Sequence, residues 1–137
     1  MKKILIRNLL AITLFGFFTQ FSVAHHTNNM SAIKEMATAL KEIANIVVSI
    51  NHFPSDADKA ALAKISGNEA YPQGIRDMAT TVSNIEHAAN DAGKAAMARI
   101  QASDQASASA KALAEMITNF NHMLNAEAKM TMAQLFP

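Results

Sequence analysis

The sequence predicts an all-α protein built from three helical-hairpin repeats of 35 residues, arranged as a short solenoid or a compact bundle. His52, His87 and His122 recur at intervals of 35 residues, and a fixed period of this size is typical of stacked helical repeats. Apolar residues ahead of each histidine are spaced by three and four, as on one face of an α-helix. The copies span about residues 32–66, 67–101 and 102–136.

The three copies agree without gaps over most of their length. Apolar residues align with apolar residues, and a lysine stands at the same place in each copy. The aligned sets include Leu40, Ile75 and Ala110; Ile43, Met78 and Leu113; Val47, Val82 and Ile117; Ile50, Ile85 and Phe120; Lys59, Lys94 and Lys129; and Leu62, Met97 and Met132.

The first 24 residues predict a secretory signal peptide. Three basic residues come before the apolar block Leu9–Phe18, and Ser22 and Ala24 occupy the small-residue positions of a cleavage site. The block is shorter than the roughly 20 apolar residues that a membrane-spanning helix needs. We therefore expect a periplasmic or secreted protein whose mature chain, a single domain of residues 25–137, begins at His25 and has no transmembrane segment.

Composition excludes several classes of function. The predicted mature chain carries nine Lys and Arg against 11 Asp and Glu, so it lacks the basic character of a nucleic-acid-binding protein. The chain has no cysteine, which rules out disulfides, thiolate chemistry and covalently attached haem c, and leaves the apolar core to hold the fold.

Each copy is expected to contain two helices that meet near its histidine. In the first copy Pro54 biases Phe53 away from helical backbone. Ser55, Asn90 and Asn125 then stand at equivalent positions, and their side-chain oxygens can accept a hydrogen bond from an amide at the start of a second helix.

A second architecture is also compatible with the pattern. The second and third copies lack a proline at the position of Pro54, so residues 73–100 and 107–135 could each form one long helix. The protein would then be an antiparallel four-helix bundle.

The repeated histidines are candidate metal ligands. In a heptad whose a and d positions carry the apolar residues, His52 falls at position f, opposite the apolar seam. Such histidines face outward and can bond the last carbonyls of their helix. Neighbouring copies of a stacked array lie about 8–10 Å apart, so His52, His87 and His122 are expected not to share one ion. Separate weak sites, or one site between chains, remain open.

The predicted mature amino terminus offers a second candidate metal site. Its free amine and the imidazoles of His25 and His26 can chelate Cu²⁺, and Met30 can add a soft thioether ligand for Cu⁺. Alternatively, these residues form a frayed tail, and most methionines fill the core.

The sequence resembles two groups of known proteins. The repeat, of the form NH-x-P-S-x-x-D-K-x-x-L, resembles that of small exported proteobacterial helical-repeat proteins with no assigned activity. The stretch "NNMSAIKEM" and the late His122 resemble periplasmic four-helix cytochromes that bind haem b. That resemblance implies Met30 and His122 as axial haem ligands, although the cytochrome family has no triple histidine repeat.

These observations favour an exported, non-enzymatic binding or interaction protein. A short solenoid presents faces that bind a protein or peptide partner, or another copy of the same chain. We expect no cofactor on this interpretation. Copper or another transition metal is the alternative ligand, and haem b is a further one.

Overall fold

A computed structural model describes the backbone of residues 21–137 and the side chains of residues 29–137. Most of the predicted signal peptide, residues 1–20, lies outside the described residues. No described helix is both long and apolar enough to cross a membrane. The described part of the chain is all-α and contains six helices and no strand. The helices are α1 (Phe21–Ser49), α2 (Asp56–Ser66), α3 (Gln73–Ser83), α4 (Asp91–Ala102), α5 (Ala108–Thr118) and α6 (Ala126–Leu135).

The predicted pair of helices is present in every copy, and the long-helix alternative is wrong. The chain leaves helical conformation between α3 and α4 and again between α5 and α6. Ser55, Asn90 and Asn125 cap the second helices, each side chain accepting from the amide three residues later. Polar caps at equivalent positions therefore restart the helix in each copy, whether or not a proline comes before them.

The core repeats with the same period as the sequence. Equivalent apolar side chains are buried to nearly the same extent in each copy, and those at the middle of the first helix are almost fully inaccessible to solvent. The buried sets are Leu40, Ile75 and Ala110; Ile43, Met78 and Leu113; Val47, Val82 and Ile117; Ile50, Ile85 and Phe120; Pro54, Ala89 and Leu124; and Leu62, Met97 and Met132. Each copy thus contributes an equivalent set of side chains to one shared core.

Residues Ile33–Pro137 form one compact unit, in which the third copy contacts the first. Consecutive helices from α2 to α6 pack against each other, which links each copy to the next. The first and third copies, which are not neighbours in sequence, are joined directly because the His52 amide donates to the His122 carbonyl. The unit is therefore a compact closed bundle of three hairpins with approximate threefold symmetry, and not an open solenoid.

One glycine marks a close approach between α3 and α4. Gly93 is buried in the first turn of α4, and a Cβ atom there would lie 2.5 Å from Cγ2 of Thr81. Thr81 is itself buried, with its hydroxyl donating to the carbonyl of Asp77. Any side chain at position 93 would push these two helices apart.

We predict that Gly93→Ala destabilises the protein by about 1–3 kcal/mol, the usual cost of overpacking a core. Gly74, in the first turn of α3, is the matched control, since a Cβ there would make only ordinary contact with Ile100 at 3.4 Å. Gly74→Ala should be neutral or stabilise by up to about 1 kcal/mol, because alanine is the better helix former. Urea unfolding followed by circular dichroism measures both changes. A stabilised Gly93→Ala variant would contradict the close packing.

Candidate metal site

The three histidines lie just after the first helices and share an uncommon backbone conformation. His52, His87 and His122 have φ angles of 75°, 71° and 65°, and they are the only non-glycine residues with positive φ in the described part of the chain. Since α1, α3 and α5 end before them, the helical heptad does not extend to the histidines. The assignment to heptad position f is therefore wrong, because it assumed helical backbone up to the imidazole, although His87 and His122 are exposed as predicted.

Their backbones form a closed cycle of three hydrogen bonds. The His52 amide donates to the His122 carbonyl at 2.6 Å, the His87 amide to the His52 carbonyl at 2.8 Å, and the His122 amide to the His87 carbonyl at 2.5 Å. Every histidine thus donates to one neighbouring copy and accepts from the other. The left-handed conformation reverses the chain direction at this point and so allows each loop to face both of the others.

The cycle brings the three imidazoles together. Their ring centroids lie 5.3 Å apart for His52 and His87, 5.1 Å for His52 and His122, and 4.9 Å for His87 and His122. One potential ligand nitrogen from each residue lies within 4.8 Å of the others. The expected separation of 8–10 Å, which assumed stacked copies, is wrong for the histidines because the copies surround one axis.

Two asparagines that the sequence analysis did not assign to the site orient the imidazoles. The Nδ1 atom of His52 lies 2.6 Å from Oδ1 of Asn51, and that of His122 lies 2.5 Å from Oδ1 of Asn121. An amide oxygen only accepts hydrogen bonds, so with this side-chain orientation Nδ1 carries the proton and Nε2 has the free lone pair. The recurrence of the dipeptide Asn-His at 51–52 and 121–122 was the sequence signal for this arrangement.

The second copy differs at this point because Glu86 replaces the asparagine. Glu86 and His87 line a small polar cavity of about 360 Å³ with Lys59 of the first copy. The site thus has two histidines whose imidazoles contact a neutral amide and one histidine that follows a glutamate.

The cluster lies at the surface of the unit. The His52 side chain is partly buried, and His87 and His122 are exposed. An ion held by three imidazoles would therefore keep coordination positions that face solvent, and an exchangeable ligand could occupy them.

The other predicted site residues are His25, His26 and Met30. The side chains of His25 and His26 lie outside the described residues. Met30, the other residue of the implied haem site, is 68% exposed on α1 and precedes the compact unit Ile33–Pro137 that contains His122. The ring contacts of His122 are with His52 and His87.

Most core methionines behave as the repeat predicted. Met78, Met97 and Met132 are almost completely buried, and Met116 packs against the core while partly exposed. These thioethers fill the interior and lie in the hydrophobic cluster, not beside the imidazoles.

Comparisons with known proteins identify no relative. No protein family matches the chain, and no curated protein or solved structure matches it either. The geometry of the histidine cluster is therefore the basis for the functional argument.

The positive φ angle gives a prediction about His87. Glycine adopts this conformation without strain, whereas β-branched side chains strongly disfavour it. We expect His87→Val to unfold at lower urea concentration than His87→Gly, with a difference of about 1–2 kcal/mol. Exposed Lys94 in helix α4 is the control, because valine is the better helix former there and the order should reverse. If His87→Val is as stable as His87→Gly, the left-handed conformation is absent in solution.

Proposed function

We propose that this is an exported metal-binding protein that holds one divalent transition-metal ion, Cu²⁺ or Zn²⁺, through His52, His87 and His122. The observation that supports this function is the convergence of three imidazoles from three copies, each at a positive φ angle. The proposal gives a specific ligand to the non-enzymatic binding protein that the sequence favours. Export rests on the predicted signal peptide.

A purely structural role explains this arrangement poorly. The expected helix-capping role would direct each imidazole to the last carbonyls of its helix, but the described ring hydrogen bonds of His52 and His122 are with asparagine side chains. Glycine or asparagine would satisfy the left-handed backbone at least as well as histidine. Three imidazoles within contact distance would also repel one another when protonated. A shared ion gives a reason for histidine in all three copies.

The nitrogen donors favour copper and zinc among biological metals. Neutral imidazole binds both ions well, and affinity for a given nitrogen site is generally higher for Cu²⁺ than for Zn²⁺. Two nitrogens that are each about 2.1 Å from one ion can be no more than about 4.2 Å apart. The potential ligand atoms lie within 4.8 Å of one another, so they are at most about 0.6 Å further apart than a shared ion requires.

The arrangement of the backbone should also make metal binding stabilise the fold. The ligands come from the first, second and third copies, so an ion would connect the same three loops that the backbone cycle connects. A ligand that binds the folded state and not the unfolded chain raises stability according to its concentration and affinity. Metal binding would thus reinforce the closure between the first and third copies.

We predict one high-affinity ion per chain and a loss of more than about 100-fold in affinity for each of His52→Ala, His87→Ala and His122→Ala. This loss should exceed the 10- to 100-fold effects usual for residues one shell further from a metal. Affinity should fall as the pH is lowered, because protons compete for the imidazole nitrogens. Isothermal titration with Cu²⁺ and with Zn²⁺, checked by native mass spectrometry, measures stoichiometry and affinity.

His26→Ala is the matched control for this experiment. It removes an imidazole of the predicted amino-terminal copper site and leaves the three-histidine cluster intact, so tight binding should persist. If His26→Ala abolishes binding and the three repeat variants retain it, the amino-terminal site is the metal site and the proposal is wrong. Circular dichroism must show that each variant is folded before its affinity is compared.

A further inference from the structure

A second feature of the unit lies at the other end of the first helices. An apolar cavity of about 550 Å³ opens beside the amino-terminal ends of α3 and α5, whereas the histidines follow their carboxyl-terminal ends. Each of these helices has 11 residues, so they separate the two regions by about 16 Å. The apolar lining comes from all three copies and includes Met36, Leu40, Ile75, Ile100, Leu135 and Phe136.

The cavity exists because the third copy carries small residues where the other copies carry large ones. Ala110 stands at the position of Leu40 and Ile75, and all three line the cavity. Ala106, which also lines it, stands at the position of Met36 and Tyr71. A closed bundle with three equal copies would fill this space with side chains. Two alanines in one copy leave it open.

The lining indicates the chemistry of a ligand. Lys41 is the only charged residue among the described residues that line the cavity. Its ammonium donates to a main-chain oxygen of Pro137, the final residue of the sequence. A ligand carboxylate would therefore bind through the two remaining N–H groups of the lysine and compete with that oxygen. Ser107 and Ser109 add hydroxyl groups to the lining, at the start of α5. The cavity therefore combines a long apolar wall with one positive charge and no carboxylate side chain.

We propose that this cavity binds the acyl chain of a fatty acid, with the carboxylate of the ligand next to Lys41. Its volume is within the range of small-molecule sites, roughly 300–1,000 Å³, and mostly apolar walls with a few polar groups are typical of such sites. A neutral apolar molecule would not use the lysine, and a cationic amphiphile would be repelled by it. The proposal is independent of the metal site, because none of the three histidines lines this cavity.

Binding of dodecanoate to protein expressed from the full-length chain tests the proposal. The titration is performed below the critical micelle concentration and compared with dodecanol and dodecyltrimethylammonium, which have the same chain and a neutral or positive head. We expect one dodecanoate per chain, weaker binding of dodecanol, and the weakest binding of the cationic amphiphile. Lys41→Met should weaken dodecanoate binding roughly five- to tenfold and leave dodecanol binding unchanged. Lys64→Met, at an exposed position on α2 outside this cavity, is the control and should have no effect.

Ala110→Leu tests the position of the acyl chain. It places in the third copy the side chain that the first copy already has, so the variant should fold, melt at a higher temperature and lose dodecanoate binding. The proposal is overturned if dodecanoate does not bind, if all three amphiphiles bind equally well, or if folded Ala110→Leu binds dodecanoate as tightly as the unmodified protein. Metal titration of Ala110→Leu should be normal, which separates failure of this proposal from failure of the metal site.

Discussion

The cycle of backbone hydrogen bonds between His52, His87 and His122 is the constraint on which the unit depends. Each of these residues donates to one neighbour and accepts from the other, so moving any loop disrupts bonds to both other copies. Apart from α1, the helices that these loops follow and precede have only 10–12 residues each. Isolated helices of that length are marginal in water. Closure of the cycle and packing of the repeated core therefore have to hold the hairpins together.

The same constraint produces the candidate site. Because each loop needs a residue with positive φ to enter the cycle, the side chains of those residues are brought close to one axis. With histidine in all three positions, the symmetric backbone places three potential nitrogen ligands close together. The neighbouring residues break this symmetry: Asn51 and Asn121 contact their own imidazoles, whereas Glu86 precedes His87. The repeat thus supplies the three histidines, and the glutamate at position 86, in place of asparagine, distinguishes His87 from the other two.

Most of the helices and the core could be predicted from the sequence. Apolar residues spaced by three and four predicted the buried face of the first helices. The cap residues Ser55, Asn90 and Asn125 predicted where the second helices start. The closure of the three copies could not be predicted. A period of 35 residues shows that successive copies are equivalent, but the rotation between copies depends on the loop backbone. Glycine would have signalled a positive φ angle there, whereas His52, His87 and His122 were recognised as candidate metal ligands but gave no sign of the left-handed backbone. The cavity could not be predicted from the sequence either, because Ala106 and Ala110 leave a space only when the first and third copies pack together.

X-ray absorption spectroscopy of the protein loaded with one equivalent of Zn²⁺ tests the central claim most directly, since it counts the imidazoles around the ion. The account predicts three imidazole nitrogens at about 2.0–2.1 Å and one further light atom from solvent or an exchangeable ligand. The same spectrum should be obtained for the His26→Ala variant. A spectrum with one or two imidazoles that changes in His26→Ala would place the ion at the amino terminus. That result would contradict the claim that the closed repeat builds the metal site.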